Sequence, residues 1–103
     1  MVEPTNGVKI RLKIKGQDLA DLDWFSKSDP VCMLEEMVNG CWERLCRTEC
    51  IDDELNPVFQ TPLDFTYRPN QKLKLSMWDH DGGSDYEFIG ETVVPGELLL
   101  NHA

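Results

Sequence analysis

Asp23 and Asp29 in the run D-W-F-S-K-S-D-P, and Asp79, Asp81 and Glu87 in the run W-D-H-D-G-G-S-D-Y-E-F, are the residues whose types and spacing could do chemistry. Both runs are loop-like, and the chain keeps them far apart. If a fold brings them to one end, carboxylates at close range repel and raise one another's pKa unless they share a cation. Calcium suits such a set, because it takes roughly six to eight oxygen ligands from carboxylates, carbonyls and water. The plainer alternative is that these acids only solubilise loops. A single EF-hand explains them less well: counted from Asp79, the sixth position is Ser84 rather than Gly and the twelfth is Gly90 rather than Glu. Catalysis is not expected, since the chain has only His80 and His102 and lacks G-x-S-x-G, a P-loop and H-E-x-x-H.

The elements that must position these acids read as strands. Val8, Ile10, Leu12 and Ile14 alternate with Lys9, Arg11, Lys13 and Lys15, the period-2 pattern of a strand with one buried and one wet face. Weaker runs cover Val31 to Val38, Cys41 to Ile51, Val58 to Tyr67, Lys72 to Trp78 and Phe88 to Val94, with a seventh segment at Glu97 to Leu100. Turn formers separate them: Asn39-Gly40, the best hairpin signal, then Asn56-Pro57, Arg68-Pro69-Asn70 and Gly82-Gly83. Asp52-Asp53-Glu54 reads as a short turn before Asn56. Short strands at this spacing without a long amphipathic helix predict an all-β antiparallel sandwich. An edge left open beside Leu98-Leu99-Leu100 would be a self-association hazard.

A length of 103 residues fits one domain, 1–103, with a single core. No apolar run approaches the ~20 residues that span a bilayer, and the start M-V-E-P-T-N-G lacks signal-peptide features, so a cytosolic protein is expected. Net charge of −9 argues against non-specific nucleic-acid binding and against simple adhesion to anionic lipid. The Lys9 to Lys15 stripe with Lys72 and Lys74 reads as a solvated sheet face, or else as a cationic patch for headgroups or an acidic partner. Arg44 and Arg47 are offset by Glu35, Glu36, Glu43 and Glu49. Cys32, Cys41, Cys46 and Cys50 show no C-x-x-C pair, which disfavours zinc; reduced thiols are expected, with Cys46 and Cys50 packing as small apolar residues. Trp42 and Trp78 lie within strands and are expected to pack in or against the sheets.

Ser28-Asp29-Pro30, Asn56-Pro57-Val58-Phe59 and Trp78-Asp79-His80-Asp81, with the spaced acids, resemble the C2 family of calcium-dependent phospholipid-binding modules. The likeness runs from about Val8 to Leu100, and D-W-F-S-K-S-D-P followed by a strand is most similar to the first such domain of a copine. The resemblance implies a Greek-key β-sandwich of type II topology, with the shortfall from the family's eight strands at the C-terminus. It also implies that Asp23, Asp29, Asp79, Asp81 and Glu87 hold calcium, two ions or three, with carbonyls such as those of Leu22 or His80 completing the shell. Glu87 departs from the family's usual Asp, and Asp85 either compensates or is a solvated loop acid. Trp24 and Phe25, between the acids of the first loop, would insert into a membrane, unless one tucks against the sandwich. The implied function is calcium-dependent recruitment from the cytoplasm to anionic phospholipid of the phosphatidylserine type, at the inner face of the plasma membrane or on other membranes. The alternative is a calcium-independent module that binds a protein partner.

Overall fold

Six strands and no helix make up the described part of the computed structural model, which covers residues 7–17, 19, 29–68, 70–80 and 85–94. They are β1 (Val8–Leu12), β2 (Pro30–Val38), β3 (Cys41–Arg47), β4 (Leu63–Tyr67), β5 (Leu73–His80) and β6 (Tyr86–Val94). β1 pairs with β4 in a two-stranded antiparallel sheet, and the other four form a second antiparallel sheet in the order β3-β2-β5-β6. The segment Glu97 to Leu100 lies outside the described residues.

Alternation decides which face each strand buries. Ile10 of β1 is buried opposite Phe65 of β4, while Arg11 beside it is exposed and makes two hydrogen bonds to the Asp64 carboxylate, at 2.8 and 3.2 Å. Val8, expected inside, is exposed at the strand end. The core joins Ile10, Cys32, Leu34, Phe59, Leu63, Tyr67 and Leu73, so both sheets contribute. Leu12, Ile14, Cys46, Ile51, Phe65, Leu75, Met77 and Val94 pack around it. Asn39 and Gly40 both have positive φ, 52° and 84°, the requirement of the tight turn that joins β2 to β3.

β1 stops at Leu12, short of the expected Lys15, and β6 begins at Tyr86, ahead of the expected Phe88. Boundaries of β3, β4 and β5 differ too, each for a local reason. β4 begins at Leu63 rather than Val58, which among the described residues pairs through an isolated bridge to Lys15. The intervening amides of Gln60 and Thr61 donate to the Glu49 carboxylate, at 2.7 and 3.0 Å, instead of to a ladder, and Pro62 has no N–H to give. β3 ends at Arg47 because Thr48 turns its side chain into the pairing: its Oγ1 accepts the Cys32 amide at 3.0 Å. β5 continues through Asp79 and His80, which the sequence placed in a loop, because Pro30 pairs with Asp79 on one side and Tyr86 with His80 on the other.

The Glu49 staple carries a pH signature. Burial opposes its charge, but the Gln60 and Thr61 amides prevail and hold its carboxyl below the ordinary value. Glu49→Ala should cost about 1 kcal/mol of stability at neutral pH, a modest figure because water competes for these bonds. A depressed folded pKa gives stability that is present above the unfolded value, about 4.3, and is lost as pH falls through the folded value. Thermal melts of the two proteins should therefore differ at neutral pH and converge in acid.

Candidate functional site

The four-stranded sheet gathers one row of acids at one end. Asp29 immediately precedes β2, Asp79 lies near the end of β5 opposite Pro30, and Glu87 of β6 lies opposite Asp79. Asp79 shares the inward parity of Leu73, Leu75 and Met77, so the core column of β5 ends in a carboxylate that is 0% exposed. Its Oδ1 accepts the Asp29 amide at 2.8 Å. The Asp29 carboxylate in turn accepts the Asp53 amide at 2.7 Å, and the Asp29 carbonyl accepts the His80 amide at 3.0 Å and the Cys50 thiol at 3.3 Å.

A β-bulge brings Glu87 into this row. Trp78 pairs with Phe88 although Met77 pairs with Gly90, so Ile89 is an extra residue on β6. Without it, Glu87 would stand opposite His80 on the outer face. With it, Glu87 shares the face of Asp79, and Phe88 turns outward to meet the Trp78 ring edge-on at 5.3 Å between centroids. Carboxylates directly opposite across a strand pair are mutually destabilising, which favours a shared cation. Burial of the Asp79 carboxylate sharpens this, since removing a charge from water is costly without compensation.

The structure places the remaining candidates as follows. Asp85 and Glu87 are exposed. The His80 ring lies on the opposite face from Asp79, tilted against Tyr86 at 4.9 Å between centroids. Leu22, Asp23, Trp24, Phe25 and Asp81 lie outside the described residues, and among those described no three His, Cys, Asp or Glu side chains form a metal cluster. The oxygen donors of Asp29 and Asp79 are of the kind a hard cation takes, and the two carboxylates are already ordered by backbone amides.

The sequence reading gave the turn at Asp52-Asp53 but not its place against the acids, where the Asp53 amide donates to Asp29. The visible signal is a consecutive acid pair ahead of Asn56-Pro57, which reads as a connector. It also misplaced Cys50, which lies beyond the end of β3 rather than in strand parity with Cys46. Its thiol is shifted upward by burial and then by Asp29, Asp52 and Asp79. The four cysteines are free, and burial pushes the Cys32 thiol up to about 12, with Cys46 adding to the shift. Such a thiol stays protonated at neutral pH.

Two basic residues of the sheet faces, Arg11 and Lys74, are committed within the fold. Lys74 lies between Glu91, at 3.4 Å, and Glu35, at 3.9 Å, with its ammonium 4.5 Å from the Trp42 ring centroid. Trp78 donates to Ser76 Oγ at 2.8 Å, and Ser76 donates to Glu35 at 2.9 Å. Both tryptophans thus pack against the outer face, and a cationic patch built on Lys74 loses its basis.

Comparison with known proteins agrees with this architecture. The "C2 domain" family model matches residues 9–102. Copine-E of Dictyostelium discoideum is 35% identical over 101 residues, covering 88% of this chain and 17% of the relative; Copine-A of the same organism is 37% identical over 86 residues, covering 81% and 14%. The chain therefore spans less than a fifth of the length of these curated relatives. Among solved structures, BON1-C2B superposes with a TM-score of 0.78 at 20% identity, over 94% of this chain and 73% of that one. The calcium-bound tandem C2 domains of Extended-Synaptotagmin 2 give 0.73 at 20% identity, over 96% of this chain and 38% of that one. With the family model matched along almost its whole length, the chain belongs to the C2 domain family.

Proposed function

We propose that this domain is a calcium-responsive membrane-targeting module whose acidic end binds anionic phospholipid of the phosphatidylserine type. The observation that carries the reading is the Asp79 carboxylate, fully buried at the end of β5, bonded to the Asp29 amide and set opposite Glu87. Asp29, Asp79 and Glu87 would hold the cation together with Asp23 and Asp81, with two ions, or three, as the capacity suggested by so many carboxylates. Asp85 and the carbonyls of Leu22 and His80 would complete the oxygen set. The calcium-bound C2 domains of Extended-Synaptotagmin 2, which share the fold, support the choice of ion. Bound calcium supplies positive charge and coordination positions open to phosphate oxygens.

The chain's own residues do the rest. In the absence of cation the acidic end repels an anionic surface, so apposition is disfavoured. Trp24 and Phe25 offer an amphipathic ring and an apolar ring to the headgroup region once repulsion is cancelled. The domain acts from the cytoplasm on the inner face of the plasma membrane or on other membranes, without catalysis and without nucleic acid. Membrane contact raises the apparent cation affinity by the factor by which cation raises membrane affinity, as linkage requires.

Co-sedimentation with phosphatidylserine-containing vesicles, in calcium and in chelator, tests this reading. The expected result is pelleting in calcium alone, with a blue shift of tryptophan emission. The second reading, a calcium-independent protein-interaction module, draws support from the outward, half-exposed Phe88 and the exposed Val93 on β6. It predicts no calcium response in either signal and partner binding that persists in chelator.

A further inference from the structure

Asp53 has φ of +50°, in the left-handed region, and the amide presented there donates to Asp29 Oδ1 at 2.7 Å. The amide of Asp29 donates to Asp79 Oδ1 at 2.8 Å. Donors and anions therefore alternate along one line: the Asp53 amide, the Asp29 carboxylate, the Asp29 amide, the Asp79 carboxylate. Strand pairing holds the turn in place, because Thr48 exchanges bonds with Cys32 and the Ile51 amide donates to the Pro30 carbonyl at 3.0 Å, laying residues 48–51 along the start of β2. The Asp53 side chain itself is exposed.

We propose that Asp53 is a positioning residue that acts through its backbone amide, fixing the orientation of the Asp29 carboxylate before any cation arrives. A short acidic side chain ahead of a strand otherwise samples several rotamers, and ordering it on binding would weaken affinity. The amide dipole also offsets part of the repulsion between Asp29 and Asp79. The left-handed conformation explains the residue type. Asp, Asn and Gly accept positive φ, Ala pays a steric penalty there, and Pro neither reaches it nor carries an N–H. For its consequence on binding the proposal rests on the cation reading above; the contact itself is independent of it.

Calorimetric titration with calcium chloride, in the presence of phosphatidylserine vesicles, gives the functional arm. Asp53→Gly and Asp53→Asn should bind within about threefold of the parent, since only one screened charge is lost. Asp53→Pro should bind about tenfold or more weakly, the loss of a hydrogen bond to a charged group. Because the proline variant could fail to fold, amide hydrogen exchange of the ion-free domain gives a second arm. The Asp53 amide should exchange slowly in the parent and in Asp53→Gly, and fast in Asp29→Ala. Equal losses in the glycine, asparagine and proline variants would make the Asp53 carboxylate a ligand and overturn the proposal. Fast exchange of the parent's Asp53 amide would overturn it too, as would a folded proline variant of undiminished affinity. A parent that binds no calcium yet shows Asp29-dependent protection would remove the cation reading and leave the positioning contact standing.

Discussion

Asp79→Asn should leave the domain folded in chelator while lowering its calcium-dependent affinity for phosphatidylserine vesicles by on the order of 100-fold, the upper range for one charge-assisted contact. The two halves of this expectation come from different atoms. Asparagine keeps an oxygen where Oδ1 accepts the Asp29 amide at 2.8 Å, so the buried N–H keeps its acceptor. It removes a negative charge from a fully buried position opposite Glu87, so ion-free stability should hold or rise. Asp79→Ala is the contrast. It strands the Asp29 amide and should cost about 1–3 kcal/mol even in chelator. Melting curves in chelator together with co-sedimentation in calcium separate the effects. An asparagine variant as unstable as the alanine variant would mean that the charge itself holds the ion-free fold, contrary to this account.

Leu34→Ala should be the most damaging single truncation for stability, at about 3–4 kcal/mol. Leu34 is 0% exposed, lies at the middle of β2, pairs with Cys46 on one side and Leu75 on the other, and belongs to the cluster shared by both sheets. Its neighbours are held in two ladders and cannot collapse into the space left behind. Domains of this size have only about 5–15 kcal/mol in total, so the melting temperature should fall by roughly 15 °C or more. Leu45→Ala sets the scale. Leu45 is the unpaired residue of the β3 bulge and is 38% exposed, so its truncation should change stability by about 0.5 kcal/mol or less. Urea denaturation of the two variants checks the ordering; comparable losses would contradict the placement of the core.

What could be read in the residues follows from how local each signal is. The Val8 to Lys15 alternation and the Asn39-Gly40 turn need only their own neighbours; the turn stands where the residues put it, and the alternation holds as a strand from Val8 to Leu12, with Val8 exposed at its end. The ends of β3, β4 and β5 depend on partners far along the chain: Thr48 capping Cys32, Glu49 collecting the amides of Gln60 and Thr61, and Pro30 pairing with Asp79. No period-2 count contains those contacts. The acidic set shows the same division. Residue types and spacing picked out Asp29, Asp79 and Glu87, yet the burial of Asp79 requires the parity of β5 to run on past Met77, and the placement of Glu87 requires the extra residue Ile89. A bulge leaves little trace in a sequence, because one inserted residue only reverses the alternation after it. The Asp53 amide is less visible still, since a backbone N–H has no letter of its own.

The most direct measurement is a calorimetric titration of the domain with calcium chloride, with and without phosphatidylserine vesicles. The acidic row predicts weak binding in solution and an apparent affinity about tenfold or more higher with vesicles present, the reciprocity that linkage demands. No heat of binding in either condition would contradict the claim that the row ending in Asp79 is a cation site.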